Sequence, residues 1–286
     1  MSATRSGGLT CLTVVGLGLI GGSVARAVRA RGLVAEIRAV GRSAAGLAAV
    51  RAAGVVDACL TDLAEGVAGA DLVILCSPVG TLPGLVRAAW PHLAPGAVLT
   101  DAGSVKRGVV ASAEACPPRA GVAFVGGHPM AGSERSGFPA ADPDLFEGRL
   151  ALLTRTPATS EEALGRVGAF WEALGSQVRV LSVDAHDRGV ALISHLPHLA
   201  AYGLVATADG EALELAGRGF VDTTRVAASA ESLWTDIFRG NRGPLLAAVA
   251  RYRETLARWE ALIVEEDWEA LEAELARARA VREKLA

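Results

Sequence analysis

Lysine is nearly missing from this chain. Only Lys106 and Lys284 occur, so almost every cation is an arginine. With alanine abundant as well, that bias reads as genome composition and carries no functional signal by itself. No polybasic run or basic stripe is present, and the formal net charge is -3, which excludes an electrostatic track for nucleic acid or an anionic membrane surface. Cysteine is sparse. Cys11, Cys59, Cys76 and Cys116 are scattered without a C-x-x-C pair, so neither a zinc knuckle nor a disulfide framework is expected, and reduced thiols in a cytoplasmic protein are. The longest apolar run, Leu9–Val24, has the look of a secretory leader. It is interrupted by Gly16, Gly18, Gly21 and Gly22, which weaken a leader's helix. No internal repeat or low-complexity linker divides the chain.

The 286 residues suffice for one large domain or two smaller ones. Short apolar runs alternate with amphipathic stretches up to about residue 183. Strands are expected at Thr10–Val15, Glu36–Val40, Leu72–Cys76, Val98–Thr100, Ala123–Val125, Leu150–Leu153 and Gln177–Leu181, with helices at Leu19–Arg31 and Glu161–Leu174. Continuous apolar strands between helices mean a parallel sheet covered on both faces. After Asp184 no good strand follows. Helical patterns run through Ala185–Ala208, Gly210–Ala216 and Val226–Phe238, and two clearer ones close the chain. In the first of these Asn241 is the expected N-cap, Pro244 lies in the first turn, and Leu245, Val249, Tyr252, Leu256, Trp259 and Ile263 form a stripe. Trp268, Leu271, Leu275, Ala278 and Val281 form the second. The expected architecture is an α/β doubly wound parallel sheet of Rossmann type over 1–183, followed by an all-α domain over 184–286. The narrow stripes pack either inside that domain or against a second copy.

Gly16-Leu17-Gly18-Leu19-Ile20-Gly21 is a G-x-G-x-x-G at the first strand–helix junction. The first glycine permits the tight turn, the second a close approach of backbone to a pyrophosphate, and the third close packing of helix on strand. The helix N-terminus then offers unpaired N–H groups to the phosphates. This predicts a nicotinamide dinucleotide, with Ser77 and Pro78 at the end of the Leu72–Cys76 strand as further contacts. NAD-preferring sites place an acid after the second strand, on the ribose hydroxyls. None is present here. Gly41-Arg42-Ser43 stands instead, and Arg42 with Ser43 suits a 2′-phosphate, which favours NADP or dual use over strict NAD.

A dehydrogenase must also manage a proton while hydride leaves carbon. Five histidines are available: His92, His128, His186, His195 and His198. His92 reads as a loop residue. His128, among glycines just past the Ala123–Val125 strand, stands where doubly wound sheets bind ligands and is the candidate proton acceptor. His195 and His198 form an H-x-x-H, but no third ligand follows and Pro197 breaks the helix face, so lining of an anionic substrate's pocket is expected and a metal is not.

Seven segments, in order, carry a resemblance: Gly16–Ser23 (GLGLIGGS), Asp101–Lys106 (DAGSVK), Gly127–Glu134 (GHPMAGSE), His186-Asp187, Ser194–His198 (SHLPH), Gly219–Arg225 (GFVDTTR) and Leu233–Ile237 (LWTDI). The chain resembles the prephenate dehydrogenase family, which includes arogenate and cyclohexadienyl dehydrogenases of tyrosine biosynthesis. The resemblance implies oxidative decarboxylation of prephenate to 4-hydroxyphenylpyruvate with NAD(P)+ as hydride acceptor. It also implies roles. His128 takes the ring hydroxyl's proton, Ser104 holds that imidazole and meets the cofactor, and Arg225 binds a substrate carboxylate. His195 and His198 line the pocket, while Glu134 and Asp222 gate it. Lys106, one of only two lysines, falls within a matching segment. The chain ends soon after its last helix pattern, which leaves no length for a regulatory ACT-type domain, so any tyrosine inhibition is expected at the active site. Prephenate and arogenate differ by keto against amino, which this sequence does not resolve. Two other readings stay open. One is a β-hydroxyacid dehydrogenase or imine reductase, which would want a catalytic lysine or tyrosine in the helical domain; no lysine stands there before Lys284, which counts against the lysine version. The other is a non-catalytic dinucleotide sensor, which would not need His128, Ser104 and Arg225 together.

Overall fold

A computed structural model describes residues 9–132 and 135–285. The first part of the chain forms β1 (Cys11–Val15), α1 (Leu19–Arg31), β2 (Glu36–Val40), α2 (Ala48–Ala52), β3 (Ala58–Leu60), α3 (Leu63–Val67) and β4 (Leu72–Leu75). It continues through α4 (Leu82–Ala89), β5 (Val98–Asp101), α5 (Arg107–Glu114), β6 (Ala123–Pro129), β7 (Leu150–Arg155), α6 (Glu161–Ala173) and β8 (Gln177–Ser182). Among the described residues these strands make one sheet in the order β3-β2-β1-β4-β5-β6-β7-β8. β1 lies between β2 and β4, so the connections leave it in opposite directions and open a crevice at its carboxyl end.

Every residue of β1 and β4 is buried, as a sheet covered on both faces requires. One layer packs α1 and α6 onto the sheet through Val24, Val28, Val167 and Trp171. The opposite layer uses Val67, Leu82, Val86 and Val109 from α3, α4 and α5. Local signals set the helix ends. Ser160 Oγ accepts from the Ala163 N–H at 3.2 Å to start α6, and Gly32 closes α1 in the left-handed region at φ +61°.

Two details of the sheet depart from expectation. β3 has only three half-buried residues and no hydrophobic pattern to announce it. β6 runs on through His128 to Pro129, and the sheet is not wholly parallel. After Val125, β6 leaves β5 and pairs antiparallel with β7, Gly127 opposite Leu153 and His128 opposite Leu152. His128 is thus part of a strand and not of the loop beyond it.

The rest of the chain is helical: α7 (Val183–Val190), a π-helical turn (Ala191–His195), α8 (Leu196–Thr207), α9 (Gly210–Glu214), α10 (Arg218–Thr224), α11 (Glu231–Gly240), α12 (Arg242–Val264) and α13 (Trp268–Glu283). The single helix expected over Ala185–Ala208 is divided at the π turn. Pro197 has no N–H to offer the Ile193 carbonyl, and the wider turn absorbs the mismatch. Val226–Phe238 is likewise divided, into a 3₁₀ turn (Arg225–Ala228) and α11. By length and composition Val183–Thr207 is long and apolar enough to cross a membrane. Its polar residues His186, Asp187 and His195 are fully buried and bonded within the protein.

Candidate active site

At the crevice, Gly16 turns the chain at φ +92°, a conformation that favours glycine. A Cβ on Gly21 would lie 1.9 Å from the Gly16 carbonyl oxygen, so that position admits only glycine if α1 is to approach β1. A Cβ on Gly18 would meet nothing within 4 Å. Gly18 precedes α1 with no capping side chain, so the first-turn amides of α1 have no side-chain partner there among the described residues. These features fit a dinucleotide pyrophosphate. Leu17 and Ile20 pack against the core, which leaves backbone as what they and Leu19 offer a ligand. Ser77 lies beside Gly16, its hydroxyl donating to the Val15 carbonyl at 3.4 Å, and Pro78 follows it. Arg42 and Ser43 are exposed just past β2. Ser43 Oγ accepts from the Gly46 N–H, and Arg42 forms no ion pair among the described residues.

Beyond β4, the ends of β5 and β6 are locked together. Asp101, fully buried, accepts from the Gly103 N–H at 2.9 Å, from the Gly127 N–H at 3.2 Å and from Lys106 Nζ. Lys106 Nζ also donates to the Gly127 carbonyl at 2.6 Å. Both polar groups of the residue before His128 are therefore held by one buried ion pair. Burial pushes the Lys106 ammonium's pKa down, against the opposing pull of Asp101 and Asp187. A Cβ on Gly127 would stand 2.6 Å from the Asp101 carbonyl, so glycine is required at this crossing.

His128 Nδ1 lies 2.9 Å from His186 Nε2, and His186 Nδ1 lies 2.7 Å from Asp187 Oδ1. Asp187 also accepts from the Lys106 N–H at 2.9 Å and the Arg107 N–H at 3.0 Å, which ties α7 to the start of α5. Burial alone would raise this carboxyl's pKa. The hydrogen bonds from His186 and the two amides outweigh it and hold the group below the usual carboxylate range. Burial, reinforced by His186, Lys106 and His195, pushes His128 well below the ordinary histidine value. The imidazole is neutral near pH 7, as a proton acceptor must be. Ser104 is half-buried in the turn after β5, and its hydroxyl makes no hydrogen bond to the imidazole among the described residues. The Nδ1 partner is His186.

Asn241 Nδ2 donates to the Asp187 carbonyl at 2.7 Å, which fixes the amide's orientation, and lies 3.1 Å from His195 Nδ1. His195 Nδ1 therefore accepts, and its proton resides on Nε2, a buried donor without a partner among the described residues. Burial pushes His195 down to about 4. Asn241 precedes α12 as expected, yet makes no capping bond: its backbone, at φ -115° and ψ 31°, is not the extended form of an N-cap, and its Nδ2 turns to α7 and the π turn. His198 donates from Nδ1 to the Ser194 carbonyl at 2.9 Å and stacks on Trp234 with 3.5 Å between ring centres. Burial lowers its pKa, and the nearby charge of Arg225 lowers it further. Asp222, in α10, is exposed. Glu134 lies outside the described residues.

Comparison with known proteins decides what this arrangement belongs to. Residues 24–180 match the family described as prephenate dehydrogenase, nucleotide-binding domain, and 182–277 match prephenate dehydrogenase, dimerization domain. The chain belongs to the prephenate dehydrogenase family. It is 33% identical to a cyclohexadienyl dehydrogenase of Zymomonas mobilis over 90% of its length and 89% of the relative's. Its fold is similar to that of a prephenate dehydrogenase from Aquifex aeolicus in complex with hydroxyphenyl propionate and NAD+ (TM-score 0.91, 31% identity, 99% and 100% of the two chains). It is also similar to an arogenate dehydrogenase from Synechocystis (0.84, 32%, 97% and 100%).

Measured against the roles that family membership suggested, the structure adds three residues. Asp187 and His186 were legible only as a matching dipeptide, and Asn241 only as a helix cap. No periodicity or spacing pairs His128 with His186, 58 residues on. The one available signal was composition: a polar His-Asp pair and an Asn at the starts of apolar helices.

Proposed function

We propose that this member of the prephenate dehydrogenase family oxidatively decarboxylates prephenate to 4-hydroxyphenylpyruvate, with NAD(P)+ as oxidant, in the tyrosine branch of aromatic amino acid biosynthesis. The observation that carries the reading is a buried His128, hydrogen-bonded to His186, in the same sheet whose first strand leads into a glycine turn that fits a dinucleotide. Residues 1–183 serve as the dinucleotide-binding domain. Residues 184–286 form the helical domain for substrate and for homodimer contacts, and the enzyme works in the cytoplasm. Gly16, Gly18 and Gly21, the backbone of Leu17, Leu19 and Ile20, and Ser77 with Pro78 would hold the dinucleotide. When bound, the nicotinamide supplies the hydride acceptor.

His128 accepts the ring hydroxyl's hydrogen bond and draws its proton as the C–O bond shortens. Loss of CO2 makes the ring aromatic and drives the step, so the protein's work is orientation and charge. Arg225 binds a substrate carboxylate and Ser104 contacts substrate and dinucleotide, while Asp222 and Glu134 act at the mouth of the pocket. His195 offers a hydrogen from Nε2, and His198 is held flat against Trp234. An unsatisfied donor suits the keto oxygen of prephenate, whereas the ammonium of arogenate presents only donors of its own. That favours prephenate. Likeness to the Synechocystis enzyme keeps arogenate as the second reading. Arg42, exposed and without an acidic neighbour after β2, favours NADP or dual use.

The test is reduced-nicotinamide formation by the purified protein, with prephenate or arogenate against NAD+ or NADP+. Turnover with prephenate, and an Arg42→Ala variant that loses about tenfold or more in NADP+ efficiency while NAD+ efficiency holds, match the proposal. A strict NAD+ requirement refutes the role of Arg42. No turnover in any combination, with dinucleotide binding intact, refutes the function.

A further inference from the structure

We propose that Asp187 and His186 are positioning residues that fix the tautomer of His128, so that its Nε2 presents a lone pair to the substrate. The proposal rests on the functional reading above for the substrate, and on geometry alone for the tautomer.

The chain of hydrogen bonds starts at Asp187. Its two oxygens accept the backbone N–H groups of Lys106 and Arg107, and Oδ1 also faces His186 Nδ1. An ionised carboxylate can only accept, so the His186 ring must donate from Nδ1. A neutral His186 then has its lone pair on Nε2, 2.9 Å from His128 Nδ1. His128 must place its proton on Nδ1 to satisfy that contact, which leaves Nε2 unprotonated. The reverse polarity needs a fully buried His186 imidazolium donating to His128, with Lys106 and His195 also close by. It would put the His128 proton on Nε2 and remove the acceptor the chemistry needs. The groups facing His128 include three cationic or ionisable nitrogens, from Lys106, His186 and His195. The nearest anions, Asp101 and Asp187, are spent on Lys106 and His186. With one proton on each ring, both at Nδ1, every contact along Asp187–His186–His128 has one donor and one acceptor.

The same geometry gives the proton somewhere to rest. The substrate O–H bond breaks as an N–H bond forms at His128 Nε2. The His128 Nδ1–H bond then breaks as an N–H bond forms at His186 Nε2, and the positive charge comes to lie beside the Asp187 carboxylate. Nothing is consumed. The oxygen that began as the ring hydroxyl ends as the phenol hydroxyl of the product, so the proton is borrowed during hydride departure and returned by the reverse path.

The experiment pairs His186→Leu with His186→Gln, the second placing an amide oxygen near the position of Nε2. Nitrogen-15 spectra of histidine-labelled protein without substrate report the tautomer directly. We expect His128 protonated at Nδ1 in the wild type and in His186→Gln, but not in His186→Leu. Turnover of His186→Leu should fall roughly a hundredfold or more with little change in KM, as for a base left in the wrong tautomer. His186→Gln should recover most of the tautomer effect, yet show a changed pH profile of kcat, because an amide cannot take the proton. A wild-type His128 protonated at Nε2 overturns the proposal, as does a His186→Leu enzyme with wild-type turnover and pH profile. A correct tautomer in a protein that turns over neither prephenate nor arogenate refutes the functional reading alone and leaves the tautomer assignment standing.

Discussion

In the sheet domain the large apolar side chains are inside. Leu12, Ile37, Ile74 and Leu99 are fully buried between the sheet and its helical layers, and Trp171 is 0% exposed. In the helical domain the same residue types stand at the surface. Ile193, Leu256, Ile263 and Leu275 are exposed, and Trp268 is 57% exposed. The contrast follows from architecture. A sheet brings two faces and covers both with its own crossover helices. α12 packs on α7, α8, α11 and the π turn and carries α13 on its side, yet several apolar residues of both helices remain exposed. Apolar surface of this extent marks an interaction site, and it falls within the segment that matches the family's dimerization domain. One domain completes its core alone, whereas the other leaves apolar surface uncovered within the stretch that matches the family's dimerization domain.

The proposed proton acceptor, His128, stands on the self-sufficient side, and its partners His186 and Asp187 come from the other. Replacing His128 by Asn should cost about 10²–10⁴ in turnover, the usual contribution of a positioned base, with dinucleotide binding kept. Steady-state kinetics and dinucleotide titration check both halves of that statement. Unchanged turnover would remove His128 from the mechanism. The next largest effect should come from the same domain's buried ion pair. Lys106→Met strands Asp101 without its cation and should destabilise the protein by about 3–5 kcal/mol in denaturant unfolding. A smaller loss would mean that Asp101 is adequately held by the Gly103 and Gly127 amides.

On the helical side, Leu256→Glu should leave the sheet domain folded and act on assembly. Losing one buried leucine contact of about 1.5–3 kcal/mol raises the dimer dissociation constant about tenfold to hundredfold. Sedimentation at several concentrations measures it. An unaltered dimer would place the interface elsewhere. The smallest effect spans both domains. His195 is held at about 4, and His128 well below 6.5, chiefly by burial. In the unfolded chain both titrate near 6.5. Between that pH and about 4 the unfolded state binds more protons, so stability should fall as pH falls, by up to about 1.4 kcal/mol per unit for each group. The slope fades through pH 7 and is gone by about pH 8, where the unfolded histidines have lost their protons. Comparing the unfolding of wild type and His195→Gln between pH 7 and 5 isolates the helical-domain share.

Much of the sheet domain was legible because its signals are local. The strands around Val14, Ile74 and Leu99 are short runs whose burial follows from composition, and the span of α1 was readable from its glycines and its apolar face. What escaped reading depends on partners. β6 extends to Pro129 only because β7 pairs with it, and nothing between Gly126 and Pro129 announces a strand. Asn241 stands where an N-cap is expected, but its backbone is not extended and its side chain is turned to a buried carbonyl and an imidazole. Pro197 was expected to break an ideal helix face, and the chain instead widens into a π turn before it and stays helical.

The sequence by itself determined the class of the protein. The G-x-G-x-x-G after an apolar strand, the alternation of strand and helix, the His128 segment among its glycines and the long stripes at the end of the chain are short-range patterns, and short-range patterns survive translation into structure. Only the tertiary structure decided how the site is wired. His128 meets His186 across 58 residues, and Asn241 meets His195 across 46. The direction of each hydrogen bond follows from what else its partner must satisfy once water is excluded. Such contacts are settled by the requirement that buried polar groups be paired, and that requirement exists only after the chain has folded.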